Sequence, residues 1–240
     1  MEFVEAYKTL VKRSVERNTK EIPAILSCLD FENLDCLEIG SGPEARIASK
    51  LAGFAKHITC LEKEADNIVH IKAITEYLGI DKKISPIYFP SYDKDNLPFP
   101  DKKFDVIIGA WLPHKLVTSQ KFLEEVTRIS RRYVLFVMPG IKGDEPKLVS
   151  LVRRGEMKRR REYKQKISGF LSAAGFKVSS KEEILRLVFK DPQEINDVFY
   201  CMAFKNEPLG KKQEKVDSFL KKIYNKFADG FYIIIGERIR

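Results

Sequence analysis

The sequence lacks several features that would place it in other classes of protein. No run approaches the ~20 consecutive apolar residues that a membrane-spanning helix needs. The first 18 residues mix charged and apolar residues and contain no apolar segment of the kind found in secretory signals. The four cysteines form no CxxC pair, so no metal site is predicted. We therefore expect a cytoplasmic protein with buried, reduced thiols and no membrane partner.

Positive charge is abundant and concentrated in one stretch. The net charge is +9 and the pI is about 9.2, a balance that attracts nucleic acid, phosphorylated metabolites and acidic proteins. One reading of the stretch is an anion-binding helix beside a substrate cleft, and the other is a solvated helix face. Residues 147–166 contain only two acidic residues, Glu156 and Glu162. The basic residues of the same stretch are Lys147, Arg153, Arg154, Lys158, Arg159, Arg160, Arg161, Lys164 and Lys166.

Apolar periodicity predicts an α/β fold with a parallel sheet. Short apolar runs alternate with amphipathic segments, and near-continuous apolar strands are typical of a sheet covered on both faces. A helix is expected from Pro43, and another after Ser119 as a possible N-cap. The predicted strands are 36–39, 57–61, 84–89, 104–109 and 133–138, followed later in the chain by 184–189 and 231–235.

The pattern predicts a single domain spanning residues 1–240. Residues 1–32 read as an N-terminal helical cap, and residues 34–189 read as the α/β core. A Lys-rich helical insert is predicted at 190–228, before a last strand in 229–240. No internal repeat or low-complexity tract suggests a further division.

The turn Gly40-Ser41-Gly42 is the first candidate binding element. It follows the first predicted strand and precedes a predicted helix. Gly40 allows a tight turn, Gly42 lets a ligand approach the backbone, and the helix N-terminus offers free N–H groups. The arrangement predicts a nucleoside-containing cofactor at the carboxyl edge of the sheet.

Two cofactor classes fit such a turn. Together with Ala45 the two glycines satisfy the dinucleotide fingerprint GxGxxG/A, which would indicate a nicotinamide oxidoreductase. Glu38, two residues before Gly40, argues against that class because a carboxylate repels a pyrophosphate. It would favour the ammonium and sulfonium groups of S-adenosylmethionine.

The segment Leu37-Glu38-Ile39-Gly40-Ser41-Gly42 resembles the first motif of the class I S-adenosylmethionine-dependent methyltransferase family, although Glu44 replaces its third glycine. The resemblance implies a Rossmann-like, seven-stranded sheet whose last strand is antiparallel. Glu62, at the end of the second predicted strand, resembles the family's ribose binder. Residues 92–107 resemble the third and fourth motifs, with Asp93 (or Asp95) at the adenine-binding position and Tyr92 replacing a glycine.

Looser matches at 128–135 and 170–176 extend the resemblance over residues 34–189.

The resemblance implies a site with two parts, one for the acceptor and one for the cofactor. The acceptor is expected near Trp111 and His114, where the Pro-Pro motif of amino-methylating subfamilies is absent. The residues expected to bind S-adenosylmethionine are Glu38, Gly40, Ser41, Gly42, Glu62, Lys63, Tyr92 and Asp93.

No catalytic residue is assigned from the sequence. Methyl transfer is an in-line displacement that mainly requires alignment of the acceptor, so it needs no catalytic constellation. His114 is a candidate general base or a surface histidine, and Trp111 either lines the pocket or packs in the core. A small-molecule acceptor is predicted first. An RNA or protein methyltransferase using residues 147–166, and a non-catalytic S-adenosylmethionine-binding regulator, are the alternatives.

Overall fold

A computed structural model of the chain describes residues 2–14, 16–91 and 96–239. The chain divides into two compact units. The first unit comprises residues 1–24, 139–162 and 182–232, and the second comprises residues 25–138, 163–181 and 233–240. The domain limits expected from the sequence stay a prediction.

Helices and strands alternate along most of the described chain. A π-helical turn at Arg17–Glu21 follows the first helix, and a 3₁₀ turn at Gly210–Lys212 precedes the last. The strands are β1 (Asp35–Ile39), β2 (His57–Glu62), β3 (Ile84–Tyr88), β4 (Phe104–Ala110), β5 (Ser130–Pro139), β6 (Phe176–Leu187) and β7 (Phe227–Arg238). The α-helices are α1 (Phe3–Arg13), α2 (Ile22–Leu26), α3 (Arg46–Leu51), α4 (Ala65–Tyr77), α5 (His114–Val117), α6 (Gln120–Ile129), α7 (Glu145–Val152), α8 (Glu156–Ala173), α9 (Pro192–Met202) and α10 (Gln213–Ile223).

The seven strands form one mixed sheet in the order β3-β2-β1-β4-β5-β7-β6. The pairs β1–β2, β1–β4, β2–β3 and β4–β5 are parallel, and β7 is the antiparallel strand. Ile39 of β1 lies in register with Leu61 of β2 and with Gly109 of β4. The carboxyl ends of β1, β2 and β4 therefore meet at one edge. The predicted fold class is confirmed.

The core of the second unit is the middle of this sheet. Every residue of β4 is buried, as are four of the five residues of β1. Leu37 and Ile107, which pair across β1 and β4, are fully buried. Helix α3 covers the sheet with Ile47, Ala48 and Leu51, and α6 does so with its own apolar face. Burial on both faces explains why these strands read as continuous apolar runs.

Two predicted element boundaries are wrong. The helix expected from Pro43 begins at Arg46, because Ala45 lies in the left-handed region with φ 40° and cannot continue a helix. The strand expected at 184–189 begins at Phe176, eight residues earlier. Four of its first eight side chains, those of Lys177, Ser179, Ser180 and Lys181, are exposed and polar, so the apolar signal marks only its end.

Within the ranges that the structure describes, no helix is both long enough and apolar enough to cross a bilayer. Helix α8, with 18 residues, has the length but is rich in lysine and arginine.

Two glycines let β7 approach the end of β5 in the first unit. Gly140 donates its N–H to the carbonyl of Gly230 at 2.6 Å. A Cβ on Gly140 would lie 2.6 Å from the carbonyl carbon of Gly230, and a Cβ on Gly230 would lie 2.5 Å from the Lys142 oxygen. These obstacles are backbone atoms, so a side chain at either position would push the backbones apart.

We expect Gly230→Ala to lower the free energy of unfolding by about 1–3 kcal/mol through this overpacking. Gly169→Ala is the matched control, since a Cβ there meets nothing within 4 Å and the residue lies inside α8. The control should stabilise the protein by about 0.5–1 kcal/mol. Urea unfolding followed by circular dichroism measures both, and equal shifts for the two variants would contradict the close approach.

Candidate functional site

The Gly40-Ser41-Gly42 turn leaves β1 with two left-handed residues. Gly40 has φ 69° and Gly42 has φ 67°, which explains the choice of glycine at both positions. Gly40 also donates its N–H to the Leu61 carbonyl at 2.8 Å, which extends the β1–β2 ladder by one bond. A Cβ on Gly42 would meet nothing within 4 Å. The backbone of the turn therefore faces open space in which a ligand can lie against it.

Glu38 binds the first turn of the helix that follows this turn. Its side chain is buried, and Oε2 accepts the backbone N–H of Ala48 at 3.0 Å. Ala48 lies in the first turn of α3, where N–H groups lack helical partners. The carboxylate thus caps α3 and complements the positive end of its dipole. Its predicted contact with the ammonium of a ligand stays a prediction.

Glu62 joins the ends of β1 and β2. It is only 3 % exposed, and its Oε2 accepts the N–H of Gly42 at 2.8 Å. Its Oε1 accepts the N–H groups of Lys63 at 2.7 Å and Glu64 at 3.3 Å. A carboxylate offers about four lone-pair positions, so acceptor capacity remains for a hydroxyl group. The side chain is held rigidly and can still accept one ribose hydrogen bond.

A cavity of about 450 Å³ opens at this edge, wholly within the second unit. It brings together four of the predicted site residues, Gly40, Glu62, Lys63 and Trp111, whereas His114 is not part of its wall. Sequence reasoning missed the rest of the wall, because nothing in the sequence distinguishes Leu112 and Leu116 from leucines of the core. The lining consists of Gly40, Glu62, Lys63, Trp111, Leu112, Pro113, Lys115, Leu116 and Ser119.

The loop after β4 forms a large part of the cavity wall. Trp111 has φ 58° and donates its N–H to the Val137 carbonyl at 2.8 Å. Its half-buried side chain lines the cavity, so of the two readings from the sequence the structure favours the pocket wall. The left-handed backbone of a bulky residue is unusual and is typical of functional sites.

His114 begins α5 and packs against an aromatic ring. Its imidazole stacks on Tyr163 of α8 with ring centroids 4.8 Å apart and an interplanar angle of 27°. Its neighbours in sequence, Pro113 and Lys115, both line the cavity. His114 therefore lies beside the cavity, and its role as a base stays a prediction.

Two predicted site residues, Tyr92 and Asp93, and the alternative Asp95, lie outside the described residues. Their predicted adenine contact stays a prediction.

The basic stretch 147–166 is partly neutralised within the first unit. Arg160 is buried and forms ion pairs with Glu145 at 2.5 Å and Glu156 at 3.0 Å. It also donates to the Gly140 carbonyl at 2.8 Å. Arg159 pairs with the same Glu156 at 2.8 Å. Arg160 therefore serves as an internal brace rather than as part of an exposed cationic face.

The ion pairs with Arg159 and Arg160 lower the pKa of the Glu156 carboxylate. Burial alone would raise its pKa, but hydrogen bonds from Arg159 and Arg160 hold the pKa below its usual value. A carboxylate with a lowered folded-state pKa stabilises the fold above its unfolded-state pKa. That contribution is lost as the pH falls through the folded-state pKa.

We expect Arg160→Met to lower the free energy of unfolding by about 3–5 kcal/mol at pH 7, since it removes an ion-pair partner of Glu145 and leaves the buried Glu156 with Arg159 alone. The deficit should shrink at acidic pH, once the pH falls through the lowered pKa of Glu156, because the protonated carboxyl no longer needs a cationic partner. Arg161→Met, at an exposed position on the same helix, is the control and should change stability by less than about 0.5 kcal/mol. Chemical unfolding of the three proteins at several pH values tests this, and a pH-independent deficit would contradict it.

The chain matches a family model over this site. Residues 37–138, from β1 to the end of β5, match the methyltransferase domain family. No curated protein is similar enough in sequence to match the chain.

Solved structures with the same fold cover nearly the whole chain. The YcgJ protein from Bacillus subtilis is 12% identical with a TM-score of 0.62, and the alignment covers 92% of this chain and 99% of that one. An S-adenosylmethionine-dependent methyltransferase from Aquifex aeolicus is 14% identical with a TM-score of 0.54, covering 95% and 97%. Geranyl diphosphate C-methyltransferase from Streptomyces coelicolor A3(2) is 8% identical with a TM-score of 0.56, covering 92% and 79%.

The family match and the fold confirm the class predicted from the motifs. Residues 37–138 match the methyltransferase domain family, and the chain has the Rossmann-like fold of class I methyltransferases. It is an enzyme whose methyl donor is S-adenosylmethionine.

We expect Glu62→Gln to weaken binding of S-adenosylhomocysteine by about 10- to 150-fold. The amide loses one charged acceptor, and such hydrogen bonds contribute about 1.5–3 kcal/mol. Glu64→Gln is the control, because Glu64 is exposed and its side chain makes no capping hydrogen bond to α4. Isothermal titration calorimetry measures both. Equal affinities for the two variants would exclude Glu62 from the site.

Proposed function

We propose that the enzyme methylates a small molecule that carries an anionic group, bound beside the methyl donor at the carboxyl edge of β1, β2 and β4. The observation that carries the proposal is the 450 Å³ cavity with two exposed lysines, Lys63 and Lys115, in its wall. Small-molecule sites have volumes of about 300–1,000 Å³ and combine apolar walls with a few polar groups.

The residues present fit the methyl donor. The open space over Gly42 and the acceptor capacity left on Glu62 suit a ribose lying against the turn. Gly40 and Ser41 would supply backbone contacts, while Glu38 would contribute negative potential behind the turn. When bound, S-adenosylmethionine supplies an activated methyl group that needs no further activation by the protein.

The loop after β4 would then align the acceptor. Trp111 provides a flat apolar wall, and the buried Leu112 and Leu116 exclude water from that side. Lys115 would bind the anionic group and orient the acceptor for in-line displacement. His114, next to Lys115, is the candidate to take a proton from the acceptor.

The names of three proteins with the same fold support a small-molecule acceptor for this enzyme. They are methyltransferases named for geranyl diphosphate, for sarcosine and dimethylglycine, and for precorrin-6y. Geranyl diphosphate is itself an anion. RNA as the acceptor is supported less well, because ion pairs neutralise part of the basic stretch around Arg159 and Arg160.

The test is transfer of a labelled methyl group to fractions of a cell extract. We expect label in the low-molecular-weight fraction, and within it in the compounds that an anion-exchange resin retains. Label found only in RNA or only in protein would contradict the proposal.

With the acceptor in hand, Lys115→Gln should raise the KM for the acceptor by about 10-fold or more and change the KM for S-adenosylmethionine by less than 2-fold. The reason is the loss of one hydrogen bond between charged groups, about 1.5–3 kcal/mol. Lys121→Gln on α6, exposed and outside the cavity wall, is the control. A larger effect on the donor than on the acceptor would instead assign Lys115 to the cofactor.

A further inference from the structure

A second groove lies at the opposite edge of the sheet, where the parallel strands begin. Two cavities of about 540 and 400 Å³ share Arg132, Tyr133, Lys177 and Glu237, so they form one continuous groove within the second unit. The length of a strand, roughly 20 Å, separates this edge from the cofactor turn. The 540 Å³ end is lined by Asp30 and Glu32 as well.

The 400 Å³ end of this groove is cationic. Its lining contains Arg131, Arg132, Lys177 and Arg238 against a single carboxylate, Glu237. The cations come from the neighbouring strands β5, β7 and β6. Adjacent strands are ~4.8 Å apart, so this order sets the positive charges side by side along the groove.

Arg238 is the fixed centre of the cationic end. Its Nη2 donates to the carbonyls of Thr127 at 2.6 Å and Ser130 at 3.1 Å, and its guanidinium lies 4.4 Å from the centre of the Phe176 ring. Both acceptors are carbonyls, so these bonds hold the group without neutralising its charge. Its Nε is buried and makes no hydrogen bond within the described structure.

The two other arginines at this end are also held in place. Arg132 lies over the Tyr133 ring at 5.1 Å and donates to its hydroxyl at 3.2 Å. That hydroxyl donates to Glu237 at 3.4 Å. Arg131 pairs with Asp105 at 2.8 Å, while Lys177 forms no ion pair with the residues that the structure describes. The groove thus offers rigid arginines, a free lysine and one aromatic ring.

From this geometry we infer that the cationic end, defined by Arg131, Arg132, Lys177 and Arg238, binds the phosphoryl groups of an anionic ligand. Guanidinium groups match the oxygens of a phosphate in pairs, and a lysine adds a point charge. The face of the Tyr133 ring that Arg132 does not cover gives an attached base or other planar group a surface to stack on. The phosphate can come from single-stranded RNA or from a free phosphorylated compound.

Fluorescence anisotropy with a labelled single-stranded RNA 15-mer and competition by inorganic pyrophosphate test this site. We expect the double variant R132Q/K177Q to bind RNA at least 10-fold more weakly and to lose pyrophosphate competition. The salt dependence of log K should become shallower by about 1.4, since each phosphate contact on a single strand contributes about 0.7. Tighter binding of RNA than of pyrophosphate would identify a nucleic acid, and the reverse a small phosphorylated ligand.

The control double variant K50Q/K72Q removes the same charge from exposed positions on α3 and α4 and should stay within 2-fold of the parent. Glu237→Gln should tighten RNA binding about 3-fold by removing the one carboxylate at the cationic end. Saturating S-adenosylhomocysteine should leave the affinity unchanged, because the cofactor edge is distant. Equal binding by R132Q/K177Q and the control, absence of binding by the parent below millimolar concentration, or displacement by S-adenosylhomocysteine would each overturn the inference.

Discussion

The hydrogen bond between the Gly42 N–H and Glu62 Oε2, at 2.8 Å, is the contact on which the cofactor edge depends. It joins the turn after β1 to the last residue of β2, two strands that are already in register. A bond between a backbone donor and a buried carboxylate is stronger than a neutral one. The left-handed turn at Gly40 and Gly42 is therefore held in one conformation before any ligand arrives.

Buried carboxylates at this edge are stable because backbone N–H groups surround them. Glu62 accepts three such bonds and Glu38 accepts one from the first turn of α3. An isolated buried carboxylate would cost several kcal/mol, but these donors would otherwise lack helical or ladder partners. The same two residues thus satisfy the backbone and give the site its negative potential. A cationic ligand benefits from that potential without a direct ion pair.

The local sequence predicts the core strands, the Gly40-Ser41-Gly42 turn and much of the site, because burial and backbone conformation restrict the residue types there. Burial on both faces makes β1 and β4 continuous apolar runs, and the glycines mark positions that need positive φ. Ala45 and Trp111 adopt left-handed conformations although neither is glycine. The sequence therefore does not predict a turn at either position. The first half of β6 carries several exposed polar side chains, which hide the start of that strand.

Side-chain partners distant in sequence were beyond the same reasoning. Arg160 reads as one cation among nine, and only the fold reveals that Glu145, 15 residues earlier, and the Gly140 carbonyl enclose it. The cavity wall could not be predicted for the same reason. Leu112 and Leu116 differ from core leucines only in the cavity that lies beside them. Composition gives the number of charges, whereas the topology decides which of them face solvent.

The two edges of the parallel sheet differ in charge for a reason that lies in the backbone. Helices that follow parallel strands begin at the carboxyl edge, where their free N–H groups attract carboxylates such as Glu38. They end at the amino edge, where free carbonyls attract cations. Arg238 binds the carbonyl of Thr127 in the last turn of α6, and Arg128 lies in that same turn. The helix dipoles therefore favour the carboxylate of Glu38 at the carboxyl edge and the guanidinium of Arg238 at the amino edge, which suits the cationic end of the far groove to an anion.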